Sequence, residues 1–216
     1  MHQHEDPTRA GGPLEVCVES LDGALAAEQG GAHRIELCSR LDVGGLTPDA
    51  ALRERVLSSV SIPVHLMIRP RAGDFVYDAA EFETMRTQLS EARDSGAAGV
   101  VFGLLGANGR IDCERTAALI DLARPRAVTF HRAFDELVDP LAGLDTLIEL
   151  GVERVLTSGG ASTAPEGADM LRRLVERAAG RIVVMAGGGV RAHNAARLLA
   201  ESGVPELHGS RVFSLP

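Results

Sequence analysis

The chain has 216 residues, of which 45% are hydrophobic and 24% are charged, a composition typical of a globular protein with one sizeable core. Its formal net charge is −8 at pH 7, which argues against nucleic acid or an anionic membrane surface as the main partner. The sequence contains no apolar run close to the roughly 20 residues that a membrane-spanning helix needs, so no membrane partner is expected.

Lysine is absent from the sequence, and all 22 basic residues are arginines. Arginine stays protonated and forms no imine, so Schiff-base chemistry on a lysine, with or without pyridoxal phosphate (PLP), is excluded for this chain. Three cysteines cannot all pair with one another, and we expect free thiols in a reducing cytoplasm. Residues 1–13 lack the apolar centre of a signal peptide, which predicts a flexible tail on a cytoplasmic protein.

Apolar runs predict eight strands in chain order, at residues 14–19, 34–38, 64–69, 99–105, 127–130, 154–158, 181–186 and 206–210. A helix with Thr47 as its N-cap and Pro48 at its first position is predicted to follow the second strand. The other helices are predicted at residues 22–29, 79–95, 112–123, 140–150, 165–178 and 193–202.

The alternation of strands and helices predicts an α/β fold. Strands of near-continuous Val, Ile and Leu are typical of a parallel sheet buried on both faces. Eight such units in about 200 residues predict a single-domain (β/α)₈ TIM-type barrel over residues 14–216. An open doubly wound sheet is the alternative, although no GxGxxG motif follows the first strand. Because the sequence stops soon after the eighth strand, we expect the eighth helix to be missing.

Polar residues on alternate strand positions predict a polar barrel interior near the C-terminal strand ends, where barrel enzymes have their sites. Branched aliphatic residues normally fill such an interior, so this polar content indicates a site. The alternative is a salt-bridged layer in which glutamates of the first two strands pair with Arg69 or Arg132. The residues expected to share the inner face are Glu15, Cys17, Glu19, Glu36, Cys38, His65, Met67, Arg69, Arg71, Thr129 and His131, with Thr157 or Ser158 and His208 or Ser210.

Cys17 and Cys38 lie at similar depth on neighbouring predicted strands, so their sulfurs are expected to approach each other. Two thiolates with Met67 nearby suit a soft monovalent ion such as Cu(I). The alternative is that both cysteines are small core residues, since the sequence has no CxxC motif. Cys113 opens a predicted outer helix and is expected to be structural.

Glycines and arginines favour a small anionic ligand. The glycines after the seventh strand let backbone N–H groups approach a phosphate or carboxylate, although a tight turn also explains them. Arginine binds oxyanions bidentately. The candidate anion-binding residues are Arg69, Arg71, Asp74, Arg132, Ser158, Gly187, Gly188, Gly189 and His208. The candidate catalytic residues are Glu15, Glu36, His65 and His131, with Glu36 or His131 as general acid or base in a lyase or isomerase step.

Segments at seven of the eight strands resemble the CutC family, named as copper homeostasis proteins: LEVCVES, RIELCS with GGLTPD, PVHLMIRPRAGDFVY, VTFHRAFD, RVLTSG, VMAGGGVRAHN and ELHGS. The resemblance covers residues 14–211 and implies a cytoplasmic, usually homo-oligomeric barrel that binds copper through strand cysteines. Cys17 and Cys38 fall on the family's cysteine positions, and Cys113 matches none. The family's pattern continues beyond the eighth strand, where this sequence ends. Other matching positions are Glu15, Glu36, His65, Arg69, Arg71, Asp74, Tyr77, His131, Arg132, Asp135 and His208.

Two main functions therefore stay open and can coexist, and a third alternative is a structural or moonlighting role that needs no site. The first is Cu(I) binding by Cys17 and Cys38, with a copper ion as partner. The second is an enzyme that acts on a small phosphorylated or carboxylated metabolite, because two thiols alone do not require an inner face of Glu, His and Arg.

Overall fold

A computed structural model describes residues 12–210, and within them eight parallel strands close into a barrel in chain order. The first and last strands pair with each other, so no sheet edge remains. The predicted α/β barrel of the TIM type is confirmed. The strands are β1 (Leu14–Val18), β2 (Arg34–Leu37), β3 (Val64–Met67), β4 (Gly99–Phe102), β5 (Ala127–Phe130), β6 (Arg154–Thr157), β7 (Val183–Ala186) and β8 (Glu206–Gly209).

Helices connect successive strands on the outside of the barrel. They are α1 (Leu21–Gln29), α2 (Ala50–Ser59), α3 (Ala79–Asp94), α4 (Cys113–Ala123), α5 (Pro140–Glu149), α6 (Ala168–Ala178) and α7 (Ala192–Ser202). Two 3₁₀ helices, at Leu41–Val43 and Arg132–Glu136, lie in the loops that follow β2 and β5. Within residues 12–210, none of the helices combines the length and apolar character required to cross a membrane.

The predicted start of α2 is wrong. Asp49 is the N-cap, and its carboxylate accepts a hydrogen bond from the Leu52 N–H. Thr47 is engaged elsewhere, because its hydroxyl accepts the Arg69 N–H at 2.8 Å and donates to Gln88 at 2.7 Å. The competing partners lie on distant parts of the chain, so the local pattern placed the cap two residues too early.

Outward-facing strand residues form the apolar core between barrel and helices, including Ile35, Leu66, Val100, Phe130 and Leu207. The alternate positions point inward and carry the polar side chains. The strand fold therefore separates an apolar outer layer, which stabilises the barrel, from an interior available for chemistry.

Two sequence-based expectations fall largely beyond the described range. The flexible tail was expected over 1–13, and only Gly12 and Pro13 belong to the described residues. Pro13 is held against the barrel, since its carbonyl accepts the Leu207 N–H at 3.1 Å. The expected absence of an eighth helix concerns residues after 210, which also lie outside that range.

Candidate functional site

A network of buried ion pairs fills the N-terminal end of the barrel. The Arg34 guanidinium binds Glu15 and, at 2.7 Å, Glu206. Arg154 binds both carboxylate oxygens of Glu206, at 2.6 and 3.0 Å. These four side chains come from β1, β2, β6 and β8, and we call them the ionic plug. His65 lies beside the plug, with its Nδ1 4.0 Å from Glu15 Oε2.

The plug shows that a salt-bridged layer exists, but its arginines differ from those expected. Arg69 and Arg132 lie at the other end of the barrel and line a cavity there. The sequence analysis did not name Arg34 and Arg154 as site residues. Arg34 lies two residues before Glu36 and Arg154 lies four residues before Ser158, so each shares a strand face with a residue that was named. The same strand period of two therefore contained the signal.

Above the plug, a cavity of about 500 Å³ opens between the C-terminal strand ends. Eight of the predicted site residues line it together: Cys17, Glu36, Arg69, His131, Arg132, Gly188, Gly189 and His208. Phe75, Asp135 and Arg191 also line it and were not among the predicted site residues. Phe75 comes from the loop after β3 and contacts both His131 and Arg69, with ring centroids 4.9 Å apart in the first case.

The two strand cysteines form a thiol pair at the side of this cavity. Cys17 Sγ lies 3.8 Å from Cys38 Sγ, and Met67 packs in the same small cluster. The hydrogen bond with Cys38, burial and the nearby charge of Glu36 all raise the pKa of the Cys17 thiol well above its ordinary value. Cys113, by contrast, is exposed at the start of α4.

Glu36 and His208 lie next to Cys17. One ligand atom from each of these three residues lies within 4.8 Å of the other two. His208 Nδ1 is 2.8 Å from Glu15 Oε1, and its Nε2 is 3.7 Å from Glu36 Oε2. The second carboxylate oxygen of Glu36, Oε1, is buried and has no hydrogen-bond partner in the described range. A buried polar atom in this state favours a ligand.

Burial and neighbouring charges shift the pKa values of Glu15, His208 and Glu36 in different directions. Burial acts to raise the pKa of Glu15, but the hydrogen bond with His208 and the charges of His208 and Arg34 hold it well below its usual range. Burial acts to lower the pKa of His208, but Glu36 and Glu15 raise it above its ordinary value. Burial, together with the charge of Glu15, raises the pKa of Glu36. Of the two carboxylates, Glu15 is therefore firmly ionised, and Glu36 is the one that more readily binds a proton.

His131 is held as a neutral hydrogen-bond donor. Its Nδ1 accepts the Ala133 N–H at 3.2 Å, so a neutral ring carries its proton on Nε2. Burial and the charge of Arg69 lower the pKa of His131 to about 3. Among residues 12–210, Nε2 has no partner. A ring with this pKa is a poor general base at neutral pH, and its Nε2–H is suited to hold a ligand oxygen.

Arg69 brings a buried positive charge to the cavity. Its guanidinium donates to the carbonyl oxygens of Val43, Gly45 and Gly73, at 3.0, 3.2 and 2.7 Å. Within the part of the chain that the structure describes, no carboxylate forms an ion pair with it. Arg132 differs, since it binds Asp135 at 2.8 Å and Ser158 at 3.1 Å. An anionic ligand at this end of the barrel would therefore meet Arg69 and also Arg191, which lines the cavity and forms no ion pair within residues 12–210.

Arg71 and Asp74 lie outside the cavity. The chain leaves β3 after Met67, so strand alternation no longer applies and Arg71 does not point inward. Arg71 instead binds Asp74 at 2.9 Å and Glu81 at 2.5 Å. These contacts fix the loop between β3 and α3, so neither residue lies where a ligand in the cavity would contact it.

The glycines after β7 fall into two groups. Gly187 faces the barrel interior, where an added Cβ would lie 2.5 Å from Leu156 and 3.3 Å from His208. Gly188 and Gly189 line the cavity with positive φ angles of 97° and 72°. Their backbone N–H groups make no hydrogen bond to another residue of the described range. Ser158 lies beneath them and binds Asp135 at 3.0 Å, so it supports the mouth and does not line the cavity.

Comparisons with known proteins identify the family of this chain. The model of the CutC family matches residues 13–213. A human copper homeostasis protein cutC homolog is 52% identical over 91% of this chain and 72% of its own length. A CutC family protein of Sinorhizobium medicae is 48% identical over 94% of this chain and 82% of its own. A CutC structure from Streptococcus agalactiae superposes with a TM-score of 0.88 at 33% identity, covering 94% of this chain and all of the other. The chain therefore belongs to the CutC family.

Proposed function

We propose that this protein acts in copper homeostasis by binding Cu(I) through Cys17 and Cys38. The observation that carries the proposal is the 3.8 Å separation of the two sulfur atoms beside an open cavity. Sulfurs at this separation fit around one ion at a metal–sulfur distance of about 2.3 Å, the value that zinc thiolates show. Soft thiolate ligands with a thioether nearby favour Cu(I) over harder cations. The name of the human relative supports the same role.

A competition titration against a Cu(I) chelator under anaerobic conditions tests this proposal. We expect the Cys17→Ser/Cys38→Ser variant to lose high-affinity Cu(I) binding. Cys113→Ser is the matched control, because that thiol is exposed and far from the pair in the fold, and it should bind like the parent. The proposal fails if the double variant competes with the chelator as well as the parent does.

A second candidate function is an enzyme of the lyase or isomerase type acting on a small phosphorylated or carboxylated metabolite. It is favoured by Arg69, a buried cation without a carboxylate partner in the described range, beside the unpartnered N–H of His131. The free backbone N–H groups of Gly188 and Gly189 add two further donors at the same mouth. In such a reaction His131 would hold a substrate oxygen, and Glu36 would transfer the proton.

Thermal unfolding in the presence of inorganic phosphate or a small dicarboxylate tests the anion site. A ligand that binds only the folded state raises the Tm with its concentration. We expect Arg69→Gln to abolish this rise while Arg172→Gln, on the exposed face of α6, retains it. No rise in the parent protein, or an equal rise in both variants, would count against the anion site.

A further inference from the structure

We propose that Cys17, Glu36 and His208 form a mixed-ligand site for a divalent cation of borderline softness, such as Zn²⁺. This ligand set overlaps the thiol pair in Cys17 and differs from it in the other two ligands. The inference does not require copper to bind at the thiol pair; it adds a second kind of ion that the same cavity can hold. Nothing in the pairing of Cys17 with Cys38 requires Glu36 or His208.

The three ligand atoms already lie close to a coordination geometry. They are within 4.8 Å of one another, and His208 Nε2 is 3.7 Å from Glu36 Oε2. Tetrahedral ligands at about 2.0–2.3 Å from a metal lie roughly 3.3–3.8 Å apart. Small side-chain rotations would therefore bring all three onto one ion.

Neighbouring groups orient His208 for metal binding. Its Nδ1 faces Glu15 Oε1 at 2.8 Å, and Glu15 is in turn held by Arg34. A carboxylate behind the ring holds the proton of Nδ1, so that Nε2, on the side of Glu36, is the nitrogen that would bind a metal in the neutral ring. This carboxylate–histidine arrangement is the one that protein metal sites use to hold an imidazole ligand.

Glu36 supplies an independent indication that something binds here. The residue is only 2% exposed, and its Oε1 has no hydrogen-bond partner among residues 12–210. An unpaired buried carboxylate oxygen is costly, since a buried acceptor without a partner loses its hydration without compensation. A cation between Glu36, Cys17 and His208 would satisfy that oxygen.

The two ligand sets differ in chemistry and in access. Cys17, Glu36 and His208 all line the cavity, whereas Cys38 does not. Sulfur, nitrogen and oxygen together suit Zn²⁺, while a pair of thiolates suits Cu(I). Three protein ligands with the fourth position open to a cavity is the pattern of zinc sites that bind an exogenous ligand. Arg69 and His131 line the same cavity and would hold an anionic ligand there.

Because both sets use the Cys17 thiolate, we expect the two ions to compete for it. Zn²⁺ should therefore weaken apparent Cu(I) binding in the parent protein, and Cu(I) should displace Zn²⁺. This competition is a property of the shared ligand and would not occur if the two ions bound at unrelated places.

Four single substitutions in the 216-residue chain separate the sites. Zn²⁺ affinity is measured with a chromophoric chelator, Co²⁺ coordination by its visible absorption, and Cu(I) affinity as described above. We expect His208→Gln to weaken Zn²⁺ binding by tenfold or more and to leave Cu(I) binding unchanged. We expect Cys38→Ser to have the opposite effect. Cys17→Ser should weaken both, and Cys113→Ser neither.

Glu36→Gln provides a second variant in case His208→Gln does not fold, and circular dichroism reports folding in each case. The inference is overturned if both His208→Gln and Glu36→Gln bind Zn²⁺ as tightly as the parent. Loss of Zn²⁺ binding in these variants, with no Cu(I) binding by the parent, would instead overturn the copper proposal and leave the mixed site standing. Every variant keeps His2 and His4 near the N-terminus of the sequence, so metal binding to those two residues cancels in the comparison.

Discussion

His131 is fully enclosed at the end of β5, and its environment decides which form of the imidazole is present. Its Nδ1 accepts a backbone N–H, and burial together with the charge of Arg69 lowers its pKa to about 3. The unfolded chain has the ordinary histidine pKa of about 6.5. Between these two values the unfolded state binds a proton that the folded state does not, so stability falls as the pH falls through this window.

We expect His131 to remove roughly 2 kcal/mol of unfolding free energy between pH 7 and pH 5. Urea unfolding at the two pH values measures this, and His131→Gln should lose correspondingly less stability on acidification. His65, whose pKa burial lowers to about 4, continues to contribute in that variant. The exposed His193→Gln is the control and should retain the parent's pH dependence. Equal pH dependence in the parent and His131→Gln would show that folding does not lower the pKa of His131.

At the scale of single elements, β4 and the residue after it make room for both buried histidines. Gly99 is the first residue of β4 and pairs with His65 in the strand register, and Gly103 directly follows the strand. An added Cβ at Gly99 would lie 2.6 Å from His65 Nε2, and one at Gly103 would lie 2.6 Å from His131 Nδ1. The two glycines therefore leave the space that the two imidazole rings occupy, because a side chain at either position would lie closer to the ring than real Cβ atoms lie to their neighbours.

We expect Gly103→Ala to destabilise the fold by about 1–3 kcal/mol, because the new methyl group must displace the His131 ring. In a His131→Ala background the ring is gone while the Ala133 Cβ stays 3.0 Å from the new methyl group, so the same substitution should cost less. Urea unfolding of the single and double variants gives the coupling energy between the two positions. An equal cost of Gly103→Ala in both backgrounds would place the strain in the strand itself, and not in the contact with His131.

These two glycines, together with Arg71, also show where strand alternation in the sequence stops being informative. A period of two placed Glu15, Cys17 and His65 on the inner face, because each lies within a regular strand. The same period misplaced Arg71, since the chain turns away at Pro70 before the alternation reaches it. Gly99 and Gly103 carry no side chain, so their role depends on which rings the neighbouring strands bring over them.

At the scale of the whole molecule, closure of the barrel decides which buried charges meet. Alternation predicts that Glu15 points inward, but its partners Arg34 and His208 come from strands on either side of it once β1 pairs with β8. Glu206 meets Arg154 from β6 in the same way. These ion pairs depend on the order and stagger of the eight strands. The sequence therefore predicted that the barrel interior is polar, but not which of its charged side chains pair with each other.

We expect Arg34→Met to destabilise the protein by about 3–5 kcal/mol, because it leaves the buried carboxylates of Glu15 and Glu206 without the cation between them. Arg40→Met is the matched control. Arg40 pairs with Asp42 in an exposed ion pair, which contributes little to stability because solvent screens both charges. Urea unfolding with both variants at pH 7 measures the difference. Since the ionic plug joins the first two strands to the sixth and eighth, a similar small loss in both variants would mean that apolar packing alone closes the barrel.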